Sequence, residues 1–99
     1  MKIPDKVKVA GHDYKVEWDD ERLSNEGLIG ETDHNLCIIY LCRYFHSKKI
    51  SAKSMIDETL LHEILHAIDV NYNHHALSEE ETVRLSTGLY QVLKDNFKF

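Results

Sequence analysis

The residues best suited to chemistry in this chain form one short segment, His62-Glu63-Ile64-Leu65-His66. Two histidines four residues apart lie on the same side of an α-helix, about 40° apart around its axis, so both imidazoles can reach one Zn²⁺ ion. The glutamate between them is placed to take a proton from the water that such an ion activates. The segment therefore predicts the metal site of a zinc hydrolase, most often a peptidase.

A catalytic zinc ion also needs a third protein ligand and one coordination position for water. The extended form of the motif, with a third histidine six residues after the second, is absent because that position is Tyr72. The remaining candidates are the acidic and histidine residues that follow the motif: Asp69, His74, His75, Glu79, Glu80 and Glu81.

Helical phase selects among the glutamates, which open a second predicted helix. We expect the inner face of that helix to consist of Leu85, Leu89, Val92 and Leu93. With Leu85 as zero and about 100° per residue, Glu81 lies near −40°, Glu79 near +120° and Glu80 near −140°. We therefore predict Glu81 as the third ligand, and Glu79 or Glu80 replaces it if the helix begins elsewhere. The competing role for Glu81 is a capping box with Ser78.

Further residues near the motif have candidate supporting roles. Asp69 lies seven residues after His62 on the same helix face, where a carboxylate can fix the tautomer of a ligand histidine. Its alternatives are a cap at the helix end or simple solvation. Tyr72, His74 and His75 are candidate donors to the oxyanion of a tetrahedral intermediate.

The elements that must position these residues follow from hydrophobic periodicity. The sequence predicts an α+β fold with the order β-β-β-α-α, a short extra helix near 20–26 and a turn-like segment at 30–35. The three strands are expected at 7–10, 14–18 and 36–41, and polar residues 46–49 connect the third strand to the first long helix. That helix is expected from near Ser51 to about Asn71 or Tyr72, and the second helix from Ser78 to about Asn96. If strand 36–41 lies at the sheet edge beside the motif, it could bind an extended peptide by strand addition.

The first long helix has two different faces. Its apolar residues Leu60, Leu61, Ile64 and Ile68 are expected to pack on the sheet. His62, His66 and Asp69 then face away from the sheet, toward the second helix. This arrangement predicts a metal site between the two helices.

Composition limits the classes of function. The 99 residues predict one domain, 1–99, and the formal charge of −5 without a Lys/Arg cluster argues against nucleic acid as a partner. No segment suggests a signal peptide or a membrane span. Cys37 and Cys42, five residues apart, point to opposite faces of a strand, so we expect reduced thiols and a cytoplasmic location.

After the motif come Ala67-Ile68-Asp69 and a short loop, and then Ser78-Glu79-Glu80-Glu81 opens a helix that ends in residues 89–96. This arrangement resembles small gluzincin-type metallopeptidases. The likeness is to minimal zincins of about a hundred residues from phages, prophages and bacteria, and it covers roughly residues 30–99. The resemblance implies a small three-stranded antiparallel or mixed sheet, an active-site helix and a glutamate-bearing helix. It implies zinc as cofactor and a peptide or protein as substrate, with Glu63 as general base.

A different class of function fits the same residues. The chain is then a phage or prophage binding or regulatory module, in which zinc is structural or the peptidase is latent. A fourth protein ligand such as Asp69 or His74 would favour this alternative, whereas a position open to water favours catalysis.

Overall fold

The computed structural model describes residues 1–45 and 49–99, and these form a small α+β domain with a mixed sheet. The strands are β1 (Lys6–Val9), β2 (His12–Trp18), β3 (Gly30–Asp33), β4 (Ile38–Leu41), β5 (Tyr44–Phe45) and β6 (Lys49–Ile50). The helices are α1 (Asp20–Asn25), α2 (Lys53–Tyr72) and α3 (Glu79–Asn96). Residues 46–48 of the predicted polar connection lie outside the described residues. No helix in the described ranges has the length and apolar character needed to cross a bilayer.

The predicted hairpin is confirmed as β1 and β2, which pair antiparallel. Its turn consists of Ala10 and Gly11, with φ of 53° and 80°. Positive φ at both central residues matches the twist of the flanking strands, and glycine adopts it without steric cost. The predicted short helix near 20–26 is also present, as α1.

The main sheet has four strands in the order β1-β2-β4-β3, so the prediction of three strands was wrong. The additional strand, β3, occupies residues that were expected to form a turn. It pairs antiparallel with β4, while β4 pairs parallel with β2. Strand β4 is therefore interior and β3 is an edge strand, so the condition under which strand 36–41 could bind a peptide is not met. The polar segment Gly30–Asp33 has weak strand propensity, and backbone pairing and contact with α2 outweigh that propensity.

Helix α2 packs on the sheet through Leu60 and Ala67. These contact a buried cluster that contains Val9, Tyr14, Ile39 and Leu41. At the far end of the helix, Asn71 Nδ2 donates to the Tyr14 hydroxyl at 2.9 Å. Ile68, expected in the same apolar face, is instead 39% exposed. The sheet-facing side of α2 is therefore rotated slightly from the predicted one, toward Ala67.

Helix α3 packs on α2 through small side chains, which the sequence analysis did not anticipate. Thr82 and Ser86 are fully buried, whereas Leu85, Leu89 and Val92 are 38–51% exposed. Thr82 and Ser86 bond their hydroxyls to backbone carbonyls of their own helix, to Ser78 O and Val83 O at 3.0 Å. Their burial therefore leaves no hydroxyl unpaired. On the helical scale with Leu85 at zero, Thr82 lies near +60° and Ser86 near +100°. The inner face of α3 is therefore turned about the helix axis by roughly 60° from the predicted one.

Asp69 organises the connection between α2 and α3. Its side chain is buried, and it accepts hydrogen bonds from Asn73 Nδ2 at 3.0 Å and from Leu77 N at 3.2 Å. Burial acts to raise the pKa of Asp69, but the hydrogen bonds from Asn73 and Leu77 outweigh it and hold the pKa below its ordinary value. Among the roles considered for Asp69, the structure shows the cap at the helix end.

The anchoring of this loop predicts a specific pH dependence. A carboxylate with a depressed pKa in the folded state stabilises that state above its unfolded pKa and loses the effect as pH falls. We expect Asp69→Asn to lower the free energy of unfolding at pH 7, with the difference from wild type shrinking as pH falls below about 4. Urea unfolding of zinc-free protein, followed by circular dichroism at several pH values, measures this difference.

The matched control is Asp13→Asn, which removes an exposed carboxylate that pairs with the exposed Lys6. We expect little change in stability from it at any pH. A deficit in Asp69→Asn that stays constant down to pH 2 would contradict the proposed anchoring by the carboxylate.

Candidate metal centre

The two histidines of the motif meet in the middle of α2. Their Nε2 atoms are 3.0 Å apart, and the rings cross at 84° with centroids 4.6 Å apart. Both side chains are largely buried, with 16% and 22% exposed. Burial, together with the neighbouring His62, lowers the pKa of His66, which favours the neutral imidazole that binds a metal ion.

Glu79 is the residue of α3 that reaches the histidines. Its Oε1 lies 2.8 Å from His62 Nε2 and its Oε2 lies 3.0 Å from His66 Nε2. The carboxylate therefore spans both imidazoles at the point where α3 begins. Glu79 lies near +120° on the helical scale, close to the observed inner face and far from the predicted one.

The structure brings Glu79 to the histidines, whereas Glu81, the predicted third ligand, lies in the helix cap. Its Oε1 accepts a hydrogen bond from Ser78 N at 2.8 Å, and its own N–H donates to Ser78 Oγ at 3.0 Å. These two hydrogen bonds are the capping box that competed with the ligand role, and they hold the pKa of Glu81 below its ordinary value. The third glutamate of the run, Glu80, pairs with Arg84 on the exposed side of the helix.

The donor atoms fit a single metal ion. Zinc binds histidine nitrogen and carboxylate oxygen at about 2.0–2.2 Å, which places tetrahedral donors roughly 3.3–3.6 Å apart. The three donor pairs here are 2.8–3.0 Å apart, so the donors would have to separate by roughly half an ångström to hold the ion. Ligand atoms of His62, Glu63 and His66 also lie within 4.8 Å of one another. The cluster could therefore hold a metal ion with two nitrogens and at least one carboxylate.

Glu63 lies beside this cluster but is held by a different element. Its side chain is 4% exposed, and its Oε1 accepts a hydrogen bond from Thr32 Oγ1 at 2.8 Å. Its Oε2 lies 3.9 Å from His62 Nε2. Burial raises the pKa of Glu63 to about 7, the hydrogen bond from Thr32 opposes that shift, and the nearby Glu79 adds to it. A carboxylate in this state can accept and release a proton near neutral pH.

Strand β3 and the turn after it present one face to α2. Gly30, Thr32 and His34 alternate along the chain and so point to the same side. At Gly30 the approach is so close that a Cβ atom would lie 2.7 Å from Thr59 Cγ2 and 2.9 Å from Glu63 Oε2. Glycine at this position therefore allows β3 to approach and bury Glu63.

A cleft of about 750 Å³ opens onto the cluster. It is bounded by the segment from Gly27 to Thr32, by α2 and by the start of α3, and His34 also lines it. The three residues considered as oxyanion donors (Tyr72, His74 and His75) are not among its lining residues. They belong to the exposed end of α2 and the loop that follows it.

Sequence reasoning did not find His34. Its Nδ1 is buried and has no hydrogen-bond partner among the described residues, and its ring meets that of Tyr14 edge-on. Burial and the nearby His75 lower the pKa of His34, so its imidazole is neutral near pH 7. The alternation of Gly30, Thr32 and His34 was the available signal, but it carries weight only once residues 30–33 are known to form a strand.

Comparison with known proteins gives no match, whether with family models, curated proteins or solved structures. The resemblance to gluzincin-type peptidases therefore remains a prediction from the motif.

Zinc affinity distinguishes the two glutamates of α3. Removing a residue that only hydrogen-bonds a zinc ligand typically weakens zinc binding roughly 10- to 100-fold. We expect Glu79→Gln to weaken zinc binding by more than this. Glu81→Gln, the matched control, weakens only the helix cap and keeps the affinity of the wild type. Competition titration with a chromophoric chelator measures both, and equal affinities in the two variants would exclude Glu79 as a ligand.

The close approach at Gly30 predicts that substitution by alanine has opposite effects on stability at Gly30 and at Gly88. Gly30→Ala forces a methyl group against Thr59 and Glu63, so we expect a loss of about 1–3 kcal/mol in the free energy of unfolding. Gly88→Ala, in α3 with no atom within 4 Å of its added methyl group, should stabilise by up to about 1 kcal/mol. Urea unfolding of both variants measures these changes in the free energy of unfolding. An unchanged stability in Gly30→Ala would contradict the described packing.

Proposed function

We propose that this chain is a zinc-dependent peptidase with a minimal zincin-like fold. The observation that carries the proposal is the convergence of His62, His66 and Glu79 beside a buried carboxylate, Glu63, at the floor of an open cleft. The order of elements supports it, because an edge strand, a motif-bearing helix and a glutamate-bearing helix meet at one point.

The donor set suits zinc among the common metal ions. Two imidazoles and a carboxylate are typical ligands of catalytic zinc, whereas magnesium and calcium prefer all-oxygen sites. Bound zinc would lower the pKa of a water molecule to near 7 and polarise the carbonyl of the scissile bond. His62, His66 and Glu79 would hold the ion, and three protein ligands leave a position for water.

Glu63 is the residue placed to move the proton. Its Oε1 is fixed by Thr32, while its Oε2 is turned toward the histidines. It would accept the proton of the attacking water and return it to the amine that leaves, and a pKa of about 7 suits both transfers. Burial therefore contributes to the reaction, because it brings the basicity of this carboxylate to the working pH.

His34 is the best-placed donor to the carbonyl oxygen of the substrate. It lines the cleft on the β3 side, across from the helix that carries the motif. A neutral imidazole offers one N–H group, and such a donor would stabilise the negative charge that develops on the carbonyl oxygen. We assign it this role in place of Tyr72, His74 and His75.

Strand β3 would bind the peptide. It is the edge of the four-stranded sheet and borders the cleft along Gly30, Glu31 and Thr32. An extended peptide could add to this edge through backbone hydrogen bonds, which hold substrates of varied sequence. The strand proposed for this role from sequence, 36–41, is interior and cannot serve it.

Catalysis is favoured over a purely structural metal site by what surrounds the three ligands. Asp69, a candidate fourth ligand, is bonded to Asn73 and Leu77. Glu63 is bonded to Thr32, and the cleft gives a substrate access to the cluster. These contacts leave room for water and substrate at the cluster.

The general-base role of Glu63 is tested by Glu63→Gln. We expect zinc binding to persist and peptide hydrolysis to fall by about 10²- to 10⁴-fold, because the amide cannot accept the proton. Zinc stoichiometry and cleavage of a fluorogenic peptide library are measured on the same preparation. Glu80→Gln, an exposed control that pairs with Arg84, should keep both properties. Undiminished hydrolysis in Glu63→Gln would refute the mechanism.

A further inference from the structure

A second cavity lies beside the N-terminal end of α2 and has no part in the reaction described above. It measures about 500 Å³, within the range of cavities that bind small ligands. Phe45 and Ile50 of the β5–β6 pair contribute to its lining, as do Ala52, Met55 and Ile56 at the start of α2.

The lining of this cavity is almost entirely apolar. Thr59 donates its hydroxyl to Met55 O at 2.7 Å. The Cys42 thiol lies 3.2 Å from Tyr44 O and 3.5 Å from Asp20 O. The side chains of Thr59 and Cys42 therefore have partners within the protein, and Ser51, the third polar residue of the lining, donates its N–H to Arg43 O at 2.8 Å. A hydrocarbon or aromatic group is the chemistry that fits such walls.

Large apolar side chains around the cavity are left exposed to water. Ile50 is 72% exposed, Met55 49% and Ile29 41%. Apolar surface gains roughly 25 cal/mol for each Å² removed from water, and exposed apolar patches commonly mark binding sites. An apolar group bound in the cavity would cover part of these three side chains.

The cavity is continuous with the cleft of the metal centre. Ile29, Met55 and Thr59 line both spaces. Ile29 directly precedes β3, whose Gly30 lies against Thr59 and Glu63 and whose Thr32 bonds Glu63. Strand β3 therefore runs in the same direction as α2, and the cavity lies at the start of both elements.

The direction of β3 determines which part of a bound peptide meets the cavity. Antiparallel pairing is the more stable arrangement, and a peptide added that way to β3 runs from the metal centre toward Ile29. The residues after the scissile bond then approach the cavity. Met55 precedes His62 by seven residues, about 10 Å along the helix, which an extended peptide spans in roughly three residues.

We propose that this cavity binds a bulky apolar side chain of the substrate, about three residues on the C-terminal side of the scissile bond. The inference rests on the proposed peptidase function and specifies its substrate class: peptides with a residue such as leucine, methionine or phenylalanine at that position. A specificity site two helical turns from the metal would let a small domain select substrates without contacts at the reacting bond.

Cleavage of a peptide library, read by mass spectrometry, tests the position. We expect leucine, methionine and phenylalanine to be enriched about three residues after the cleaved bond. Ala52→Phe, which fills the cavity, should reduce kcat/KM about 10-fold for a peptide with leucine there and leave the same peptide with serine unaffected. Ile50→Ser, at an exposed position where folding is not at risk, should weaken the preference in the same direction.

Ser54→Phe is the matched control, because Ser54 is exposed on the same turn of α2 and does not line the cavity. It should leave the preference intact. Cleavage without an apolar preference after the scissile bond, or a preference unchanged in both Ala52→Phe and Ile50→Ser, would overturn the proposal.

A binding measurement separates this proposal from the fate of the peptidase function. In protein labelled at isoleucine and methionine methyl groups, N-acetyl-leucyl-leucinamide should shift the NMR signals of Ile29, Ile50, Met55 and Ile56. The shifts should disappear in Ala52→Phe and persist in Glu63→Gln. If no peptide is cleaved but these shifts occur, the peptidase function fails and the cavity stands as a site for apolar side chains.

Other occupants would give different results. Shifts caused by laurate but not by the leucine peptide would assign the cavity to a lipid chain. Shifts that depend on protein concentration alone would assign it to a second copy of this chain. Either result, or the absence of any shift at these methyl groups, would overturn the proposal.

Discussion

The candidate site depends on how closely α3 packs against α2. Thr82 and Ser86 are small and fully buried, so the two helices can approach without large side chains between them. That contact sets the rotation of α3, and the rotation brings Glu79 to the imidazoles. Leu85, Leu89 and Val92 then remain partly exposed, although they are among the most apolar residues of the helix. The inner face is therefore decided by steric fit between the helices more than by hydrophobicity.

Strand β3 imposes a second constraint from the other side of α2. Gly30 lets the strand approach, Thr32 fixes one oxygen of Glu63, and the surrounding protein excludes water from that carboxylate. Desolvation favours the protonated form of Glu63, and its pKa of about 7 follows mainly from this effect. The histidines and Glu63 thus come from one helix but contact two different partners. The histidines contact Glu79 of α3, and Glu63 contacts Thr32 of β3.

Much of the framework could be predicted from the sequence because it follows from local periodicity. The hairpin of β1 and β2, helix α1, the extents of α2 and α3, and the capping box at Ser78 and Glu81 all follow from patterns within a few residues. The positions of His62, Glu63 and His66 on α2 could be predicted in the same way, because helical geometry alone determines them. Ser51 was expected as the cap of α2, but the helix begins at Lys53 with Ala52 as N-cap.

The errors concern contacts between elements, which a single sequence does not encode locally. Strand β3 is polar and was assigned to a turn, because its pairing with β4 and its packing on α2 are long-range. Glu81 was preferred to Glu79 because apolar residues were taken to mark the inner face of α3. Buried Thr82 and Ser86 would have given the correct phase, but hydroxyl side chains usually indicate an exposed face. His34 was missed for the same reason as β3, on whose alternation its position depends.

A metal ion bound between α2 and α3 would link two helices whose contact includes the buried hydroxyl residues Thr82 and Ser86, so metal binding and folding are expected to be coupled. The most direct test is anomalous diffraction at the zinc absorption edge from crystals of the zinc-loaded protein. We predict one strong peak within about 2.0–2.2 Å of the Nε2 atoms of His62 and His66 and of a carboxylate oxygen of Glu79. A peak elsewhere, or none at saturating zinc, would contradict it.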